Sequence, residues 1–178
     1  MSRPPKPEAQ LCSIARASDA MADPWALLIL RDAFRGAARF EDFLSLSPVS
    51  RTVLADRLRN LVSHGLLERH AYLERPPRYE YRLTAIGADA LPLLLEFMRW
   101  GDTHRDQKSG PPVLVRHHLC QKIMPAGAYC SHCGVPVDAG SVSFEPGPGA
   151  KGAEAKAVAK ALRTIRERNA APTVVVLN

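Results

Sequence analysis

Three cysteines and two adjacent histidines in the last third of the chain have the spacing of metal ligands. Cys130 and Cys133 form a Cys-x-x-Cys pair, and Cys120 follows His118 by two residues. Two thiolates at this spacing can hold one tetrahedral zinc ion, and structural zinc sites take four protein ligands. We therefore predict a structural zinc site formed by His118, Cys120, Cys130 and Cys133. The usual zinc ribbon has two Cys-x-x-Cys pairs where this chain has one, so a dithiol pair or simple core cysteines stay open as alternatives.

A second group of chemically active side chains lies on the outward face of a helix predicted over residues 50–64. Ser50 is a typical N-cap, and Gly65 is a typical exit residue. A helix fits the major groove of DNA, where its outward side chains reach base edges and phosphates. The candidate DNA contacts on this helix are Ser50, Arg51, Thr52 and Arg59.

A β-hairpin is predicted over residues 66–83, because polar and apolar residues alternate in its second half. Pro76 and Pro77 lie at its tip. Arginine on such a hairpin can neutralise DNA phosphates, so Arg75 and Arg78 are the candidate contacts of the wing.

These elements belong to a longer predicted order. A first helix, a buried helix from Pro24 to Arg35 and a short third helix precede the segment 50–64, and Thr84 caps a last helix that reaches about Arg105. That order is typical of a winged helix-turn-helix. We predict a mainly α fold with a small β component (α+β), to which a small zinc-ribbon-like segment and a helical tail are attached.

Composition divides the chain into five segments. We expect a disordered N-terminus over 1–9, a winged helix-turn-helix domain for DNA binding and dimerisation over 10–106, a linker over 107–112, a zinc-binding segment over 113–145 and a basic helical tail over 146–178. The tail has little apolar bulk, so we expect partial order and a contribution either to nonspecific DNA affinity or only to solubility. Its end, from Thr173 to Leu177, resembles a strand without an identifiable partner.

Length and charge exclude several classes of protein. The 178 residues carry a net charge of +6, which suits an acidic partner such as nucleic acid. No apolar stretch is long enough to span a bilayer and no secretory signal opens the chain, so we expect a cytoplasmic protein that does not insert into a membrane. The chain has no Gly-rich phosphate loop and no nucleophile elbow, so we predict neither an enzyme nor an organic cofactor.

Short sequence motifs from about residue 10 to residue 101 resemble those of the HxlR family of bacterial regulators. The resemblance rests on their order along the chain: Cys12, Asp23-Pro24-Trp25, Leu28-Ile29-Leu30-Arg31, Gly36, Arg39-Phe40, Val53-Leu54-Ala55-Asp56-Arg57-Leu58, Gly65-Leu66-Leu67, Pro76-Pro77-Arg78-Tyr79-Glu80-Tyr81, Leu83-Thr84 and Trp100. Ala55 departs from the Thr or Ser that is common there, so the operator preference of the family is not transferred.

The resemblance implies a MarR-like winged-helix regulator that binds a pseudo-palindromic operator in double-stranded DNA as a homodimer, most often as a repressor. It also implies an interface between the first and last helices. The residues expected there are Leu11, Ile14, Leu94, Phe97 and Met98. In some relatives a cysteine in the first helix senses oxidants, which makes Cys12 a possible redox sensor; we favour a buried structural role for it.

Two functions of different classes follow from the sequence. The first is a sequence-specific transcriptional regulator whose effector and target genes are unknown. The second is a protein-interaction or zinc-scaffold module whose winged helix no longer reads DNA. Only the first predicts a salt-sensitive and sequence-dependent affinity for duplex DNA.

Overall fold

The computed structural model describes residues 12–105 and 108–170, which form seven helices and five strands. The first half contains α1 (Ser13–Met21), α2 (Pro24–Phe34), α3 (Phe40–Leu46), α4 (Arg51–Ser63), β1 (Leu67–Glu74), β2 (Pro77–Leu83), α5 (Ala85–Ala88) and α6 (Leu91–His104). The second half contains β3 (Val113–His117), β4 (Ile123–Met124), β5 (Val142–Pro146) and α7 (Gly152–Ala170). The predicted winged helix-turn-helix, with a Cys/His segment behind it, is confirmed.

Helix α2 is central to the first core. The Asp23 side chain accepts hydrogen bonds from the backbone N–H groups of Trp25 and Ala26, and Pro24 occupies the first turn, where its missing N–H costs nothing. Ala26, Ile29 and Leu30 are fully or almost fully buried against α3 and α4. This packing fixes the angle between the helices of the helix-turn-helix.

Helix α4 has well-defined ends. Ser50 Oγ accepts a hydrogen bond from the N–H of Val53, as the N-cap prediction requires. At the other end, Gly65 has φ +70°, and two backbone bonds, Leu66 N–H to Leu61 C=O and Gly65 N–H to Val62 C=O, form a Schellman motif. The predicted bounds 50–64 therefore describe the helix together with its two cap residues.

The hairpin pairs β1 with β2 in antiparallel register, with an irregularity between Ala71 and Leu73. Residues 38–39 extend it, since Arg39 bridges to Glu80 and the Tyr81 N–H donates to the Ala38 carbonyl. The single long helix predicted after Thr84 is wrong: α5 ends at Ala88 and α6 begins at Leu91. Pro92 lacks the N–H that a continuous helix would need there.

The segment after residue 112 forms a three-stranded antiparallel sheet in the order β4-β3-β5. Its apolar side chains pack on the buried face of α6 and make a second core, which includes Leu91, Leu95, Val115, Met124, Val137 and Val142. The predicted linker 107–112 and the start of the predicted tail hydrogen-bond to each other through Gly147 N–H to Pro112 C=O and Gly149 N–H to Pro111 C=O.

Helix α7 packs on the winged-helix domain, contrary to the expectation of a partly ordered, solvated tail. Ile165 is buried in the first core. Arg168 forms a bidentate ion pair with Asp42 at the start of α3, and the Asn169 side chain donates to the Gly36 carbonyl. The sparse apolar residues of α7 suffice because they meet a surface that α2 and α3 leave open. The strand-like run Thr173–Leu177 lies outside the described residues.

Candidate nucleic-acid interface and metal cluster

The outward face of α4 carries the predicted DNA contacts. Ser50, Arg51, Thr52 and Arg59 are all exposed. Arg51 is paired with Glu41 of α3 at 2.7 Å, and Arg59 is paired with Asp56 one turn before it at 3.2 Å. Both pairs are exposed, so each contributes little to stability and can exchange its carboxylate for a DNA phosphate or a base edge. Glu41 lies ten residues before Arg51, on a different helix. The periodicity within α4 therefore could not predict this ion pair.

Arg57 holds α4 against the start of α2. Its guanidinium pairs with Asp23 at 2.9 Å and with Asp56 at 2.5 Å. The Asp23 hydrogen bond raises the pKa of Arg57. Burial raises the pKa of Asp23, but Arg57 and the backbone N–H groups of α2 outweigh it and lower that pKa overall. Arg57 therefore positions the helix, while Arg51 and Arg59 stay on its surface.

The hairpin presents free cations near its tip. The exposed Arg75 and Arg78 have no salt bridge with any residue in the described ranges. Two further arginines, which the sequence did not single out, lie over tyrosine rings: Arg39 is 4.2 Å from the Tyr72 ring centroid and Arg69 is 4.1 Å from that of Tyr79. Arg39 and Arg69 thus add two arginines to the two that were predicted on this surface.

The cysteine cluster includes His117, whereas the predicted His118 lies outside it. His117 is almost fully buried, and its Nδ1 lies 3.4 Å from Cys120 Sγ and 3.4 Å from Cys133 Sγ. The exposed His118 instead contacts the Gly140 carbonyl through its own Nδ1. The correction has a simple cause: His117 is the last residue of β3 and its side chain faces the Cys-x-x-Cys turn, whereas His118 lies in the turn after the strand and its side chain contacts Gly140.

The four donor atoms fit the dimensions of a tetrahedral metal ion. The ligand atoms of His117, Cys120, Cys130 and Cys133 all lie within 4.8 Å of one another, and the Cys120 and Cys130 sulfurs are 3.7 Å apart. Zinc–sulfur bonds of about 2.3 Å place two tetrahedral thiolates about 3.8 Å apart. The donor set and the spacing therefore suit zinc, and three predicted cysteine ligands are brought together.

The Cys-x-x-Cys turn favours the thiolate at Cys130, whereas burial and the contact with Cys130 raise the pKa of the Cys133 thiol. Gly134, at φ +69°, donates its N–H to the Cys130 carbonyl. Burial raises the pKa of the Cys130 thiol, but the backbone N–H groups of His132 and Cys133 point to its sulfur and lower that pKa overall. Hydrogen bonds to sulfur favour the deprotonated form that binds metal.

The comparison with protein families decides the identity of the domain. The family model described as "HxlR-like helix-turn-helix" matches residues 20–109. The chain belongs to the HxlR-like helix-turn-helix family. The resemblance noted from the residues is thereby confirmed.

Relatives of this HxlR-like chain are described as regulators. The HTH-type transcriptional regulator Rv3095 of Mycobacterium tuberculosis is 41% identical over 139 residues, which cover 78% of this chain and 88% of the relative. Among solved structures, the transcription factor PA1607 superposes with a TM-score of 0.61 at 32% identity, covering 73% of this chain and 91% of its own. The redox regulator HypR in its reduced form superposes with a TM-score of 0.50 at 28% identity, covering 53% and 95%.

The comparisons concern transcription regulators with a helix-turn-helix fold, and none of the proteins named above is described as an enzyme. Among the described residues, no helix is both long and apolar enough to cross a bilayer.

The exposed apolar surface of α6 shares Phe97 with the predicted interface, whereas Leu94 and Met98 are partly buried. Leu94 packs against the first core and Met98 against the second, so both serve the fold of this chain. The exposed side chains are Leu93 (42% exposed), Phe97 (57%) and Trp100 (50%), which follow one another at spacings of four and three residues. We call these three residues the α6 face.

The remaining predicted residues lie at the start of the described chain. Ile14 on α1 is 77% exposed, as an interface residue would be in a single chain. Leu11 lies outside the described residues. Cys12 is exposed, which contradicts the buried structural role expected for it. Its role as a redox sensor stays a prediction.

Proposed function

We propose that this chain is a transcriptional regulator that binds an operator in duplex DNA, with α4 in the major groove and the hairpin against the sugar-phosphate backbone. The observation that carries the proposal is the pairing of a rigidly capped helix, whose outward Arg51, Thr52 and Arg59 are exposed, with a hairpin tip whose Arg75 and Arg78 lack salt bridges among the described residues. The helix offers base contacts, and the hairpin offers phosphate contacts.

The salt dependence of DNA binding tests the hairpin. If Arg78 neutralises one phosphate in each protomer of a dimer, Arg78→Ala lowers the slope of log affinity against log salt by about 1.8. Between 50 and 200 mM salt, that slope amounts to a difference of about tenfold in affinity. Lys122→Ala, on an exposed residue of the Cys/His segment, is the matched control and should leave the slope unchanged.

Arg51 tests the helix. Arg51→Ala should cost about 1–3 kcal/mol for the preferred duplex and less for a scrambled one, because a lost base contact reduces specificity. Fluorescence anisotropy with the upstream region of its own gene and a scrambled duplex measures both. Equal affinities for the two duplexes, unaffected by either substitution, would favour the protein-interaction or zinc-scaffold module instead.

The proposed regulator acts as a homodimer and as a repressor. Support for the dimer comes from the α6 face, which exposes three large apolar side chains at helical spacing, and from the exposed Ile14 on α1. The repressor role rests on the resemblance to the HxlR family. A reporter gene behind the operator tests it, since deletion of the regulator should raise expression.

We propose further that His117, Cys120, Cys130 and Cys133 bind one structural zinc ion. Four protein donors leave no open coordination position, which is typical of structural sites and not of catalytic ones. Such an ion would link the end of β3 to the Cys-x-x-Cys turn at Cys130 and Cys133. It would thereby stabilise the packing of the second core against α6. Zinc in equimolar amount in protein purified without chelator is the expected result.

A further inference from the structure

A cavity of about 690 Å³ lies between the winged-helix domain and the C-terminal half of the chain. Its walls come from α2, α6, β3, β5 and α7. The volume falls within the range of roughly 300–1,000 Å³ that is usual for small-molecule sites. The apolar wall is formed by Met98, Val113, Phe144, Pro146, Val158 and Leu162.

Arg35 supplies an unusual charge to this cavity. Its side chain is only 9% exposed, and its one ion pair among the described residues is a long contact of 3.7 Å from Nη1 to Asp32 Oδ1. The Asp32 carboxylate is already occupied, because it accepts hydrogen bonds from Arg31 and from the Ser47 hydroxyl. The Arg35 guanidinium therefore makes no side-chain hydrogen bond to any described residue, and its nitrogens stay accessible from the cavity.

Three more arginines, Arg31, Arg163 and Arg166, line the cavity. Of these, Arg31 and Arg166 lie near enough to repel Arg35. Burial and the repulsion of these two neighbours lower the pKa of Arg35 to about 10, although Asp32 opposes the shift. An anion placed among the three cations would relieve this repulsion.

The cavity also has acidic side chains, and they do not neutralise Arg35. Asp102, Glu145, Glu154 and Glu167 line it, but none lies within 4.0 Å of the Arg35 guanidinium. Glu145 is engaged in an ion pair with Arg116. The cationic end of the cavity is thus the wall formed by α2 and Arg166.

We propose that this cavity binds an organic carboxylate, with the carboxylate at Arg35 and the apolar body against Met98, Phe144 and Leu162. The carboxylate of such a ligand complements the arginines of the cavity, and its hydrocarbon body complements the apolar side chains. The donors of Arg35 are not used by the protein, and a bidentate carboxylate can accept from two of them in a charge-assisted pair.

Isothermal titration calorimetry with the full-length protein tests the site. The probes are naphthoate and decanoate, each compared with the uncharged amide of the same body. We expect one saturable site per chain and at least tenfold weaker binding of the amide, which corresponds to about 1.4 kcal/mol. This comparison uses the unaltered protein, so it does not depend on whether a variant folds.

Variants then assign the carboxylate to its partner. Arg35→Met should remove the preference for acid over amide, whereas Lys156→Met, on an exposed residue of α7 outside the cavity, should retain it. If Arg35→Met loses its circular dichroism spectrum, Arg166→Met replaces it. Absence of saturable binding of both acids, equal affinity for acid and amide, or an acid preference that survives the substitution would each overturn the proposal.

The position of the cavity connects it to the helix-turn-helix. Leu162 of α7 lines the cavity, and Arg168 of the same helix forms an ion pair with Asp42 at the start of α3. The following expectation rests on the proposed DNA binding. Saturating naphthoate should change the operator affinity at least fivefold, and the Arg168→Gln substitution should diminish that change. Unchanged operator affinity would refute this coupling alone, and failure of all DNA binding would refute the proposed function while leaving the calorimetric result intact.

Discussion

The ion pair between Arg168 and Asp42 tests whether α7 is part of the winged-helix domain. Both contacts between guanidinium and carboxylate are 2.6 Å long, and the side chain of Asp42 is only 7% exposed. In Arg168→Gln the carboxylate keeps its hydrogen bonds from the backbone N–H groups of Ala38 and Arg39 but loses its cation. Hydrogen bonds to charged groups contribute about 1.5–3 kcal/mol. Since Arg168 is partly exposed, we expect the lower end, about 1.5–2 kcal/mol less free energy of unfolding.

A double-mutant cycle measured by urea denaturation isolates the pair. The variants are Arg168→Gln, Asp42→Asn and their combination, and we expect a coupling free energy of about 1.5 kcal/mol. Arg163→Gln, on an exposed residue of the same helix, is the control and should stay within about 0.5 kcal/mol of the unaltered protein. A coupling free energy below about 0.5 kcal/mol would refute the docking of α7 on α3.

Three further predictions concern the metal, the pH dependence and the oligomer. His117→Ala should lose zinc and lower the Tm, whereas His118→Ala should keep one zinc per chain by elemental analysis; equal zinc contents would contradict the assignment. Burial raises the pKa of Asp42, but Arg168 and the backbone donors hold it below its usual 3.8. The stability that this carboxylate contributes is therefore complete above pH 3.8 and is lost as the pH falls through the lowered pKa. Asp42→Asn should thus weaken the fall of Tm at acid pH, and an unchanged fall would contradict this role of Asp42. Phe97→Glu should give a monomer in sedimentation equilibrium, and a persistent dimer would exclude the α6 face.

Much of the winged helix could be predicted because its signals are local. Asp23 and Ser50 cap the helices that follow them, and Gly65 ends α4 in a left-handed conformation. Apolar spacing identified the buried face of α4, and the outward residues followed as its complement. Such signals need no knowledge of distant residues.

Other features depend on distant residues. Leu94 and Met98 have the spacing of an interface, but in the single chain Leu94 packs partly against the first core and Met98 partly against the second, while Leu93 and Trp100 are exposed. The break before α6 was a local error instead, because Pro92 was present in the sequence as a signal.

The sequence by itself determined the order of elements from α1 to β2, the family of the chain and the three cysteines that gather at the metal cluster, because caps, periodicity and short motifs act within a few residues of the chain. Only the tertiary structure decided that His117 faces the cluster, that α7 completes the first core, and that Arg35 lies buried beside a cavity. Each of these depends on which surfaces meet across the fold. The contact between Arg168 and Asp42 spans 126 residues, a separation at which no local pattern carries information.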